Sequence, residues 1–226
     1  MFRYEDELVS KFINFLYDES NNIVVKEMDT RHGNIDIVTI KSNGFIFNKN
    51  QTSILSKPGN SMVFSYLKNS RFLSYKSIIS NVGLSESSVN YCLYELKKGN
   101  LVTENDGLYR RSKKFIFPKT EITGYEAKLK NFQKAYYQAV KNIKYVDYSY
   151  IVFPMTKARR INEKYKDYLK ESKIGLIGVD KERYYIFIKA FKPHVITESM
   201  RLLNVSKSYD LLYKESNKVR FYTDGR

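Results

Sequence analysis

Sulfur and imidazole are scarce in this chain, which has one cysteine, Cys92, and two histidines, His32 and His194. A lone cysteine forms no intramolecular disulfide, and neither histidine has a Cys or His nearby to complete a zinc set. A disulfide framework and a structural zinc site are therefore not expected. Long apolar runs are missing too, since none approaches the ~18 residues needed to cross a bilayer. The N-terminal MFRYEDELVSKF carries acids where a signal peptide has an apolar core. These absences predict an intracellular, cytoplasmic protein without a membrane partner. Acids are short relative to bases: 24 Asp plus Glu against 39 Lys plus Arg give a formal charge of +15 and a pI near 9.6. That balance favours polyanionic partners, nucleic acid before acidic membrane. The bases are spread along the chain rather than gathered in a tail, which predicts a charged folded surface.

The rest of the composition is that of a globular protein, 42% hydrophobic and 28% charged. Its 226 residues suffice for one large domain or two small ones. Residues 4–18 place Leu8, Val9, Phe12, Phe15 and Leu16 on one helical stripe. Strands are predicted at 22–28 and 34–41 around the turn-like DTRHG, with NGFIFNK continuing the sheet. From about Lys57 to Lys114 the character changes. SMVFSYLKN, SYKSIISNVG and SESSVNYCLYELKKGN read as three helices, and LVTENDGLYRR reads as a hairpin. In the third helix Val89, Cys92, Leu93 and Leu96 recur at helical spacing, with Ser85 as N-cap and Gly99 as the stop.

Three helices followed by a hairpin resemble a winged helix-turn-helix, and LSESSVNYCLYELKKGNLV is similar to its recognition-helix pattern. The resemblance covers residues 57–114 and implies duplex DNA as the partner. It assigns Ser87, Ser88, Asn90, Tyr91 and Tyr94, off the apolar stripe, to groove contact. Arg110 and Arg111, closing the wing, fall where phosphates or a minor groove would lie. Residues 57–114 hold ten Lys or Arg and four Asp or Glu, a net of +6 that suits phosphate contact. Winged helices also serve as dimerisation or packing modules, so packing alone is the alternative.

With 57–114 set aside, the order is helix, three strands, helix, strand, helix, strand. That predicts an α/β fold with a mixed central sheet flanked by helices, split into 1–56 and 115–226 by the insert. Within it GNIDIVTI carries Asp36, and GYEAKLK carries Glu126 and Lys128 two apart on a strand. Those two share one face while Tyr125, Ala127 and Leu129 share the other. The helix that follows carries Gln133 and Gln138.

This set resembles the PD-(D/E)XK nuclease superfamily, with its restriction-endonuclease-like fold, over residues 1–48 and 115–189. The resemblance implies a metal-dependent DNA endonuclease. Mg²⁺, with Mn²⁺ as a substitute, would be held by Asp36 and Glu126, with the Ala127 carbonyl as a third oxygen. Lys128 would orient the attacking water or stabilise charge on the phosphate. Gln138, with Gln133 as rival, would fix the water or the backbone, and Glu5 on the first helix would be an accessory acid. A homodimer would match the two strands of a duplex. Two features depart from the pattern: 90 residues separate Asp36 from Glu126, which only the insert explains, and Ile35 stands where the motif has Pro. Two alternatives stay open. Glu126 and Lys128 also suit a surface ion pair worth about 0–1 kcal/mol, and the whole chain suits a non-catalytic DNA-binding regulator with a nuclease-like dimerisation domain.

Overall fold

The computed structural model describes residues 2–18, 22–30, 33–42, 46–112, 115–117 and 120–223. Helix α1 (Glu5–Asp18) leads into strands β1 (Asn22–Thr30) and β2 (Gly33–Ser42). Helices α2 (Lys49–Leu55) and α3 (Pro58–Tyr66), strand β3 (Leu73–Ser74) and helices α4 (Tyr75–Val82) and α5 (Glu86–Lys98) follow. Strands β4 (Val102–Asn105), β5 (Leu108–Arg111) and β6 (Thr120–Ala127) precede helix α6 (Phe132–Asn142). The chain then runs through β7 (Tyr148–Pro154), α7 (Met155–Glu171), β8 (Gly175–Val179), β9 (Tyr184–Ile188) and α8 (Glu198–Thr223). It divides into two compact units, Met1–Asn43 with Lys119–Ile196 and Gly44–Pro118 with Thr197–Arg226. Among the described residues no helix is long and apolar enough to cross a membrane.

The first unit is α/β, built on a mixed six-stranded sheet in the order β1-β2-β6-β7-β8-β9. Strands β6, β7 and β8 run parallel, and the flanking pairs are antiparallel. The two-residue period of β7 sorts its side chains between two cores. Tyr150 and Val152 join Leu8, Phe12 and Leu16 of α1, whereas Ile151 and Phe153 join Ala135 and Ala139 of α6 and Ala158 and Ile161 of α7. Helix α1 forms where its apolar stripe predicts, and Glu5, Asp6 and Glu7 in its first turn complement the helix dipole.

The second unit places α3, α4 and α5 against a three-stranded sheet in the order β3-β5-β4. Ser85 caps α5 by accepting from the Ser88 N–H. The β4–β5 hairpin turns on Asp106 and Gly107, whose φ values of 50° and 72° are the left-handed pair that a type I′ turn requires. Gly99 does close α5, though its own φ is −80°. Its lack of a side chain matters for another reason, because a Cβ there would lie 2.6 Å from Ile54 Cδ1.

The boundaries expected at 57 and 114 shift. The second unit begins at Gly44 and also takes Thr197–Arg226, which sequence order assigns to the first. Of NGFIFNK, residues 43–45 lie outside the described residues, 46–48 form no strand, and Lys49 opens α2. Asn48 and Gln51 start that helix with a capping box. Phe47, Ile54 and Leu55 then pack with Phe64 of α3 and Leu202 of α8 in one apolar core, which draws the C-terminal helix into this unit.

Candidate functional site

Strands β2 and β6 pair antiparallel as far as Ile37–Tyr125, so Asp36 and Glu126 stand one step beyond, at the end of the register. Where β6 stops, the Lys128 N–H donates to the Val152 carbonyl at 3.0 Å. The Lys128 ammonium then donates to Asp36 Oδ2 at 2.8 Å and to the Ala127 carbonyl at 2.9 Å. The same Asp36 oxygen accepts the Ala127 N–H at 2.9 Å. Glu5 Oε2 and Glu126 Oε2 lie 3.8 and 4.0 Å from the ammonium. One cation is thus ringed by oxygens from α1, β2 and β6. Glu5 is half exposed, but the Lys128 and Glu126 side chains are buried at 7% and 0% exposure.

Glu126 is the most constrained of these groups. Its Oε1 accepts from Asn142 Nδ2 at 2.6 Å, while its Oε2 is buried with no hydrogen-bond partner. Burial first, and the Asp36 charge second, push its pKa up to about 7, against the opposing pull of Asn142 and Lys128. A dry, unsatisfied carboxylate oxygen is costly, and such groups concentrate at functional sites. The sequence makes room for it beneath α6 with small residues. Ala135 and Ala139 face the sheet, and a side chain on Gly124, two residues before Glu126, would meet Val146 Cγ1 at 3.2 Å. Across from Asp36, between the pairs Lys26–Ile37 and Met28–Ile35, Glu27 has a left-handed backbone with φ 55°. Strain of that kind costs about 1–3 kcal/mol and clusters at active sites.

Of the residues predicted from sequence, Glu5, Asp36, Glu126, Ala127 and Lys128 come together. Gln138 lies half-buried on α6, one turn before Asn142, with a buried Oε1 that has no partner. Gln133 is exposed. Asn142 was not anticipated, yet a signal for it exists: Ala135, Gln138, Ala139 and Asn142 recur at i, i+3, i+4 and i+7, which puts two amides on the buried stripe. Among the described residues no group of three or more His, Cys, Asp and Glu is placed to hold a metal ion. The two carboxylates and the Ala127 carbonyl are hard oxygen donors, and Glu126 Oε2 is an acceptor without a partner. That set fits a Mg²⁺ or Mn²⁺ ion that keeps several waters.

In the second unit Ser87, Ser88, Asn90, Tyr91 and Tyr94 are all exposed on α5, and Val89, Cys92, Leu93 and Leu96 are buried beneath them. Arg110 is exposed, with its guanidinium 4.6 Å from the centre of the Phe72 ring. Arg111 departs from its expected place on the wing surface. It is 7% exposed and donates to the carbonyls of Phe64 and Ser65 and to Asn69 Oδ1. Neighbouring residues of a strand point to opposite faces, so LYRR turns one arginine outward and the other inward.

No family model, curated protein or solved structure matches this chain.

Proposed function

We propose that the protein is a metal-dependent deoxyribonuclease. The first unit would be of the restriction-endonuclease-like, PD-(D/E)XK kind and hydrolyse phosphodiester bonds. The second would bind duplex DNA as a winged helix-turn-helix. The observation that carries the reading is Glu126 Oε2, a fully buried carboxylate oxygen without a partner, beside Asp36 and Lys128. A surface ion pair would keep both of its members in water, and this constellation does not.

Asp36 and Glu126 would hold the ion, with the Ala127 carbonyl as a third oxygen. A bound divalent ion neutralises phosphate oxygens and lowers the pKa of the attacking water. Asn142 fixes Glu126 through one oxygen and leaves the other available. Lys128, held by Asp36 and the Ala127 carbonyl, is the donor for the scissile phosphate or the water. For the second unit, support comes from the order α3-β3-α4-α5-β4-β5, the polar exposed face of α5 and the net +6 of residues 57–114.

The test is cleavage of supercoiled and linear plasmid in Mg²⁺, Mn²⁺ or EDTA, beside Glu126→Ala. Metal-dependent cutting that disappears in the variant is expected. Tight binding without cutting on unmodified, methylated and branched DNA would instead make the chain a non-catalytic regulator.

A further inference from the structure

A cavity of about 420 Å³ lies wholly within the second unit, lined chiefly by Ser65, Lys68, Asn69, Arg71, Arg111 and Glu198. Arg111 forms its floor. The Arg111 guanidinium lies 5.1, 5.6 and 5.2 Å from the ring centres of Phe64, Phe115 and Phe117. Its Nε donates to the Phe64 carbonyl at 2.9 Å, one terminal nitrogen to the Ser65 carbonyl at 2.8 Å, and the other to Asn69 Oδ1 at 3.4 Å. Every one of these acceptors is neutral. Among the described residues no carboxylate pairs with it, and Glu198, the one acid in the lining, acts on it only through space. Three bonds leave two of the five guanidinium N–H groups, and burying a cation without a counter-charge is costly.

Ser65 supplies an independent sign at the same place, because its Oγ is buried and has no hydrogen-bond partner. Lys68 and Arg71 stand exposed around the same cavity. A planar guanidinium, a free hydroxyl and two exposed cations make a donor set suited to the oxygens of a phosphate group. Three positive side chains against one carboxylate leave the lining in need of anionic charge.

We propose that this cavity is a phosphate-binding site. Its phosphate comes either from a free phosphate-bearing molecule or from the backbone of a nucleic acid. It shares no residue with the Glu126 constellation, so the nuclease reading can fail with this site intact, and the reverse.

The test uses the full chain, Lys68→Glu with Arg71→Glu, and separately Ser65→Ala. Arg111 is left in place because its bonds hold α3 to β5. Inorganic phosphate is titrated against chloride at equal ionic strength with the thermal midpoint as readout, and a short duplex is titrated by fluorescence anisotropy. A saturable rise in midpoint, weakened about tenfold in the charge-reversed chain, assigns the site to free phosphate. No response to phosphate, with duplex affinity reduced in both variants, assigns it to a backbone phosphate. If neither ligand responds to the substitutions, or charge reversal alone weakens duplex binding while Ser65→Ala behaves as the parent, the proposal is overturned. The last pattern is what surface charge anywhere would give.

Discussion

Under helix α6 of the first unit, Glu126 is shut away from water with one oxygen bonded and one not, whereas on helix α5 of the second unit Ser87, Asn90, Tyr91 and Tyr94 stand in solvent above an apolar stripe. Each unit also buries ionisable side chains, among them Glu126 in the first and Arg111 in the second. The first has a strong mismatch between the group and its surroundings, while the second finds three acceptors. Burial of a charge is therefore not by itself a sign of chemistry. What separates the two is the kind of deficit: Glu126 keeps a buried oxygen with no partner, whereas Arg111 has three neutral acceptors and, among the described residues, no carboxylate paired with it.

The comparison can be broken most sharply at Lys128. If the first unit holds the chemistry, Lys128→Ala lowers plasmid cleavage on the order of 10²–10³-fold, with duplex binding unchanged. Cleavage at the parent rate would reduce the ammonium to a neutraliser of Asp36. In the second unit Arg111→Met is expected to cost about 3 kcal/mol in a urea titration, since two carbonyls and Asn69 lose their donor. A loss under 1 kcal/mol would mean that the guanidinium's bonds do not hold α3 and β5 together.

Protonation gives a third handle. The folded pKa of Glu126, about 7, lies above the ordinary 4.5, so between those values the native state holds a proton that the unfolded chain has released. Stability should fall by roughly 3 kcal/mol as pH rises through that window and level off above it. Glu126→Gln should flatten that part of the curve, and a variant that keeps the slope would trace it to another group. The smallest effect on stability, within about ±0.5 kcal/mol, belongs to Asn90→Ala and Tyr94→Ala. Both should nonetheless weaken duplex binding in an anisotropy titration, and unchanged affinity would remove α5 from the interface.

Much of this architecture is legible in the sequence where one physical rule acts alone. The stripe of α1, the Ser85 cap and the Asp106–Gly107 turn follow from local periodicity and backbone preference. Alternation sets Glu126 and Lys128 on one face, and what singles them out together with Asp36 is the resemblance to a known motif. Elsewhere two rules compete. An Asn at the end of an amphipathic helix reads as a surface or stop residue until its place on the stripe of Ala135 and Ala139 is weighed. Arg111 reads as a wing cation because composition says basic, while strand alternation says inward. The membership of α8 in the second unit is not local at all, since it depends on Leu202 reaching a core whose other members, Phe47 to Phe115, lie far earlier in the chain.

Both units are discontinuous in the chain, and this sets a timetable for their making. Strand β2 ends at Ser42, and the partner of its other edge, β6, begins at Thr120. At about 5–20 residues per second, a ribosome leaves that edge without its mate for roughly 4–16 s. Most of the second unit is synthesised in the interval, yet it too waits, because α8 follows β9 in the chain. A bare edge rich in Ile and Val is prone to pair with other chains. The nascent protein therefore passes through a stage of exposure that the finished one does not share.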